Sequence, residues 1–149
     1  MLPDFESLSL PDLCSALVAG EASNQSDDGQ RAVVFVAKNR AKLAMKGITH
    51  EWPTAIDKVI LQPKQFSCFD DPARWRDMEE AADANTLEPW AIRCRMNALD
   101  ALSEMRPDPT MGATHYLTTK LLNTNPPSWV KRLRKTVTID AHTFFVESV

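Results

Sequence analysis

The fold of this chain is decided by residues 30–40, which read QRAVVFVAKNR. The centre of the stretch, residues 32–37, is apolar and rich in β-branched side chains, so on β-propensity alone it suits a buried strand. Its flanks continue a helical composition, and we therefore predict a helix that is capped by Asp27 or Asp28, runs to about Met45 and stops at Gly47. Because a helix that is apolar on nearly all sides must be buried, we expect this one to be the central helix.

Further helices are predicted on both sides of this stretch. One begins after Pro11 with Asp12 as its cap and ends near Glu21 and Ala22. Others cover about 54–61, 72–84 and 88–105, with Pro72 at a helix start. The last of them is predicted to bury a stripe made of Ala91, Ile92, Met96, Leu99 and Leu102.

The composition changes after Met111, where strand-forming residues become frequent. Residues 114–119 are predicted to form a strand and residues 123–127 a turn. Residues 136–139 and 142–146 flank Asp140-Ala141 and are predicted to form a hairpin. Helices followed by a small β region indicate an α+β fold, and the length of 149 residues fits a single domain over 1–149.

Composition and charge exclude several classes of protein. The net charge of -3 gives no reason to expect a nucleic-acid partner, and four glycines without a phosphate-loop pattern argue against nucleotide binding. Three widely spaced cysteines do not form a disulfide framework and suit a reducing compartment. No export signal or membrane-length apolar run is recognisable, so we expect a soluble monomer without stable membrane insertion.

Glu21 and His115 are the first candidates for chemistry. Glu21 ends an apolar helix between small residues, where a ligand can approach closely and apolar neighbours favour the neutral carboxyl group. From the residues alone, a solvated carboxylate at a helix end explains Glu21 more simply. His115 can serve as a base, a ligand or a packed imidazole, and the same alternatives stay open for His50 and His142.

Five short motifs along the chain resemble those of the cell wall hydrolase family typified by the spore-cortex-lytic enzymes. They occur in that family's order, and the resemblance extends over roughly residues 12 to 146. The motifs are VAGEAS at 18–23, QRAV to KNR at 30–40, VILQ with QFS between 59 and 67, GATHY at 112–116 and IDAHTFF at 139–145.

The resemblance implies a mainly α-helical domain of the lysozyme and lytic-transglycosylase type, with a small β-hairpin region in the C-terminal third. It implies cleavage of peptidoglycan glycan strands between N-acetylmuramic acid and N-acetylglucosamine, with Glu21 as the single catalytic acid and then base. No metal or cofactor is required. The residues that it places in or beside the substrate cleft are Gln65, Phe66, Ser67, His115, Tyr116 and His142.

The chain also departs from the family's pattern. Residues 23–28 replace an Arg-Gly-Glu-like run, Asp140-Ala141 replaces Gly-Asn, and Phe145 replaces a tyrosine, which removes a hydroxyl group. A lone catalytic domain without a signal resembles a phage endolysin. We therefore expect synthesis in the host cytoplasm and action at the cell wall after release, in host-cell lysis.

Three alternatives remain open from the sequence. Hydrolysis in the manner of a muramidase needs a second carboxylate, for which Asp27 and Asp28 are the nearest candidates, although helix capping explains them more simply. A wall amidase or peptidase would use a cysteine or a zinc ion held by histidines, but the spacing of metal ligands is lacking. A non-catalytic virion protein that only binds the wall is the third.

Overall fold

Residues 30–40 form the middle of a long helix in the structure, a computed structural model that describes residues 3–147. This helix, α2 (Asp27–Met45), has the predicted bounds and is buried without a break from Gly29 to Ala37. The predicted cap is wrong: the N-cap is Ser26, whose hydroxyl accepts the Gly29 N–H at 3.1 Å. Asp27 and Asp28 lie in the first turn, where their charge favours the helix through its dipole.

The helix at the centre of the fold is α1 (Leu10–Ala22), which packs against α2 and three further helices. Every residue from Leu13 to Gly20 is buried, so α1 shares the central position that the sequence assigned to α2 alone. Its N-cap is Ser9 rather than Asp12. Asp12 instead pairs with Arg95 at 2.9 Å and ties α1 to a neighbouring helix.

The remaining helices are α3 (Ile56–Leu61), α4 (Pro72–Ala82), α5 (Pro89–Ser103) and α6 (Thr119–Thr124). Of these, α3, α4 and α5 pack on α1 and α2, whereas α6 packs on the sheet, and a short 3-10 turn joins α3 to α4. α6 was not predicted. Its N-cap is Thr118, whose hydroxyl accepts the Leu121 N–H at 3.2 Å, and its last two residues replace the start of the turn predicted at 123–127.

The predicted buried stripe of α5 is right for two of its five residues: Ala91 is buried, and Leu102 is partly buried against the core. The other three residues are not buried. Ile92, Met96 and Leu99 are 39%, 65% and 45% exposed. The face that packs on α1 and α2 consists mainly of small residues. The buried residues are Ala91, Cys94, Asn97, Ala98 and Ala101.

Three strands complete the domain: β1 (His115–Thr118), β2 (Leu133–Ile139) and β3 (His142–Glu147). They form an antiparallel sheet in the order β1-β3-β2, so the last strand in the chain lies between the other two. The predicted hairpin is confirmed, and β2 starts three residues earlier than expected. A bulge between Lys135 and Val137 adjusts its register against β3.

The predicted α+β class is therefore confirmed, with helices first and a small sheet in the C-terminal part. Among the helices in the described range, none has the length and apolarity needed to cross a membrane.

Candidate active site

Glu21 lies in the last turn of α1 and meets the sheet through one hydrogen bond. The Tyr116 hydroxyl on β1 donates to Glu21 Oε1 at 2.6 Å. Gly20 allows this placement, because a Cβ atom there would lie 2.6 Å from the Cβ atom of Cys68. The end of α1 thus packs closely against the 3-10 turn Ser67–Asp70, and this fixes Glu21.

A cleft of about 330 Å³ opens beside Glu21. Of the seven site residues predicted from the sequence, five line this cleft and two do not. Glu21 is the one carboxylate among the described residues that line the cleft, and three cations accompany it. The lining residues are Glu21, Arg40, Lys64, Gln65, Ser67, Arg74, Tyr116, Leu117, Thr118, Leu121 and His142.

The other two nominated residues, Phe66 and His115, lie behind the cleft. Phe66 is buried in the core and carries the Arg40 guanidinium over its ring at 5.1 Å. His115 points to the opposite face of β1 from Tyr116, because successive side chains of a strand alternate. There its ring packs between Trp52 and Trp129, with centroids 5.7 and 5.3 Å away.

Arg40 connects three of the sequence motifs, and sequence reasoning missed it as a site residue. Its Nε donates to the Thr114 carbonyl at 2.7 Å and its Nη1 to Gln65 Oε1 at 3.3 Å. The preceding Asn39 donates to the Ala113 carbonyl at 2.9 Å. The Asn-Arg pair at the end of its motif was the available signal, since it ties α2 to the strand that carries Tyr116.

Burial sets the protonation of the groups around Glu21. Burial, reinforced by the neighbouring Glu21, raises the pKa of Tyr116 well above its usual value. The phenol therefore stays protonated and donates a hydrogen bond to Glu21. Burial lowers the pKa of His142, against the opposing effect of Glu21 and Asp140. At neutral pH, His142 is therefore an uncharged imidazole packed edge-on to Tyr116 at 5.2 Å.

The turn before His142 is anchored to the start of α2. Asp140, at a positive φ of 51°, accepts the backbone N–H and the hydroxyl of Ser26 at 2.8 and 2.6 Å. The Ala141 N–H donates to Gln25 Oε1 at 3.2 Å. The lack of a side chain at Gly29 leaves space for the Asp140 carboxylate, because a Cβ atom there would lie 2.6 Å from Asp140 Oδ2. These contacts fix the hairpin, and with it His142, on the helical part of the domain.

The sequence's candidates for a second carboxylate lie elsewhere. Asp27 accepts from Arg93 and Asn97, at 2.9 Å each, and their hydrogen bonds and charge lower its pKa against the effect of burial. Asp28 pairs with Arg31. Neither aspartate is among the residues that line the cleft.

The groups that an amidase or peptidase would need are not arranged for that chemistry. Cys14, Cys68 and Cys94 are buried, and burial raises the thiol pKa of each, to about 12 for Cys14 and about 11 for Cys94. Within residues 3–147, no group of three or more His, Cys, Asp or Glu side chains is placed to hold a metal ion.

A larger groove of about 1050 Å³ runs between α2 and residues 104–112 and contains none of the nominated residues. One of its cations, Lys38, already donates to Glu104 at 2.9 Å and to the Ala101 carbonyl at 2.7 Å. Its size alone therefore does not identify it as the site of chemistry.

The fold matches that of two solved catalytic domains. The chain is similar to the catalytic domain of the germination-specific lytic transglycosylase SleB from Bacillus anthracis, with a TM-score of 0.64, 23% identity and coverage of 96% of this chain and 98% of that one. It is equally similar to the catalytic domain of the Bacillus cereus SleB protein, with a TM-score of 0.64, 24% identity and coverage of 97% and 94%. No curated protein matches significantly.

The family model described as Cell Wall Hydrolase matches residues 24–145, and the chain belongs to that family. The predicted family and the predicted class of cell-wall lytic enzyme are thereby confirmed. Family and fold together support peptidoglycan cleavage. The matched range begins after Glu21, so the role of Glu21 depends on the geometry of the cleft.

Proposed function

We propose that the protein cleaves peptidoglycan glycan strands between N-acetylmuramic acid and N-acetylglucosamine as a lytic transglycosylase, with Glu21 as its single acid and base. The observation that carries this proposal is the lone carboxylate: among the described residues that line the cleft, Glu21 is the one acidic group. Hydrolysis by two carboxylates needs the second about 5–9 Å away to hold a water or attack the sugar.

In this route, Glu21 gives its proton to the oxygen of the glycosidic bond as that bond breaks. The leaving N-acetylglucosamine takes the proton on its 4-hydroxyl group, and positive charge develops on the muramyl ring. The Glu21 carboxylate then removes the proton of the 6-hydroxyl group, whose oxygen bonds to C1 and forms a 1,6-anhydro ring. The Tyr116 hydroxyl, which donates to Oε1 at 2.6 Å, orients the carboxyl group for both proton transfers.

The direct test is digestion of purified peptidoglycan by the wild type and by Glu21→Gln, with mass spectrometry of the products. Loss of a general acid lowers the rate by about 10²- to 10⁴-fold. Glu79→Gln serves as the matched control, because Glu79 is an exposed carboxylate on α4 outside the cleft. We expect 1,6-anhydromuramyl ends from the wild type and from this control.

Each alternative predicts a different result in the same experiment. Full activity of Glu21→Gln refutes the assignment of the acid. Ordinary reducing ends keep glycan cleavage but replace the transglycosylase route by hydrolysis. Loss of activity with a chelator or a thiol blocker points to an amidase or peptidase, and binding without release of soluble fragments to a wall-binding protein.

The proposed setting is lysis of a host cell from its cytoplasm by a phage endolysin. It is tested by expressing the chain in bacterial cytoplasm with and without a membrane pore. Lysis that depends on the pore supports this setting, and lysis without it refutes the need for release.

A further inference from the structure

The cleft carries more positive charge than its one carboxylate balances. Arg40, Lys64 and Arg74 line it together with Glu21. Arg74 is already engaged, because it pairs with Asp71 at 3.1 Å and donates to the Gly20 carbonyl. For Arg40 and Lys64, the described residues provide no carboxylate oxygen within 4.0 Å.

Of these two cations, Arg40 is the stronger indication of an anion site, because it is only 6% exposed. A buried charge is costly unless it is paired, yet both of its hydrogen bonds go to neutral acceptors, the Thr114 carbonyl and Gln65 Oε1. Burial lowers its pKa to about 10, with Tyr116, Glu51 and Glu147 opposing the shift, so it stays charged at neutral pH. Arg40 is thus a buried cation of the cleft that has no ion-pair partner among residues 3–147.

Lys64 is a second cation that lines the cleft. It is exposed and directly precedes Gln65, whose amide oxygen accepts from Arg40. Its φ of 63° is in the left-handed region, which side chains other than glycine rarely adopt. Strained backbone of this kind persists at ligand sites when the surrounding structure fixes it.

We propose that Arg40 and Lys64 form an anion subsite beside Glu21 that binds a carboxylate carried by the glycan strand. This proposal rests on the proposed function, which makes the glycan strand the substrate. It adds that the cleft recognises a carboxylate on that strand. Two sources supply that group: the lactyl carboxylate of peptide-free N-acetylmuramic acid and the carboxylates of stem peptides. A neutral polymer of N-acetylglucosamine has the same backbone and lacks both, so it is the reference ligand.

The experiment measures binding constants by calorimetry for three ligands: neutral chitin oligosaccharides, peptide-free wall glycan fragments and fragments with stem peptides. All variants carry Glu21→Gln, so that the fragments stay intact. Lys64→Gln keeps side-chain length and removes the charge. Lys135→Gln is the matched control, because Lys135 is an exposed lysine on β2 outside the cleft.

We expect Lys64→Gln to weaken binding of carboxylated fragments about threefold to tenfold and to leave chitin binding unchanged. The difference shrinks at high salt, because salt screens charges at the rim. Circular dichroism first checks that the Arg40→Gln variant folds. In the folded variant, we expect the remaining preference for carboxylated ligands to be lost. The fragment that responds identifies the source of the carboxylate.

Equal losses for neutral and carboxylated ligands, or no loss at all in Lys64→Gln, overturn the subsite. This failure is distinct from failure of the proposed function. Cleavage by the wild type with no effect of Lys64 removes only the subsite. Charge-selective binding by a wild-type protein that releases no fragments keeps the subsite and rejects the activity.

Discussion

The two faces of the small sheet carry similar side chains with different surroundings. On the cleft face, Tyr116 packs against His142 and Phe144, with ring centroids 5.2 and 5.5 Å away. On the opposite face, His115 and Phe145 pack around Trp129, with centroids 5.3 and 6.0 Å away. Each cluster holds one histidine whose pKa burial lowers, so residue type and burial alone do not distinguish them.

The difference lies in what each face meets. The cleft-face cluster reaches an acidic residue through the Tyr116 hydroxyl, whereas His115 shares a 2.9 Å contact with its neighbour Thr114. Neighbouring side chains of a strand point to opposite faces of the sheet. Consecutive residues of one sequence motif on a strand therefore lie partly on the cleft face and partly on the opposite face. We expect substitutions on the cleft face to change the rate of cleavage and those on the other face to change stability.

Tyr116→Phe has the largest expected effect in this comparison. It removes the donor to Glu21 and keeps the ring, so packing changes little. A hydrogen bond to a charged group contributes about 1.5–3 kcal/mol, which corresponds to a fall of about 10- to 100-fold in kcat. Peptidoglycan digestion kinetics and urea unfolding measure the two quantities. An unchanged kcat shows that the hydroxyl is not needed to orient Glu21.

Gly29→Ala tests whether the hairpin turn fixes the cleft face. The added Cβ atom would lie 2.6 Å from Asp140 Oδ2 and 2.8 Å from the Gln25 Cβ atom. We expect the free energy of unfolding to fall by about 1–3 kcal/mol, and kcat to fall a few-fold because His142 follows the turn. This loss runs against the helix preference of alanine, which is about 1 kcal/mol over glycine.

A double-mutant cycle with Asp140→Ala identifies the cause. If the clash with Asp140 destabilises Gly29→Ala, the second substitution removes that part of the cost, and the contact with the Gln25 Cβ atom remains in both proteins. Strict additivity of the two losses contradicts this explanation.

His115→Phe has the smallest expected effect, and it concerns the face away from the cleft. Burial, with the charge of Arg40, lowers the pKa of His115 to about 4, whereas the unfolded chain has the ordinary value of 6.5. Between these values the unfolded state binds the extra proton, so the free energy of unfolding falls as the pH decreases from about 6.5 to about 4. His115→Phe makes this decrease shallower and leaves kcat unchanged at pH 7.

Urea unfolding at several pH values measures this effect, and the contribution of His142 is present in both proteins. An unaltered pH profile contradicts the assignment. A large loss of kcat in a stable His115→Phe protein would show that His115 takes part in the cleavage reaction.

Much of the fold follows from local sequence signals. α2 keeps its predicted bounds, because its apolar run and Gly47 are both local features. The caps were misplaced by one to three residues, since Ser and Asp are both good N-caps and occur within three residues of each other at the start of each helix. Three residues of the predicted α5 stripe are exposed, because the helices that pack on α5 decide which of its faces is buried, and no local pattern records their positions.

The candidate site was predictable only in part, and for a similar reason. The structure brings Glu21, Gln65, Ser67, Tyr116 and His142 to one cleft, and their functional roles stay predictions. Its cations were not predicted, although Arg40 stood inside a quoted motif and Lys64 next to one. Their importance comes from missing ion-pair partners and from backbone geometry, which appear only in three dimensions.

The strand order also has a consequence for when the cleft forms. β3 lies between β1 and β2 but follows both in the chain, so β1 has no neighbouring strand until residues 142–147 have been made. Glu21 and Tyr116 are 95 residues apart. At about 5–20 residues per second of synthesis, α1 leaves the ribosome several seconds before the sheet can close. A nascent chain therefore has its acidic residue long before it has an assembled cleft, which separates synthesis of the enzyme from its activity in time.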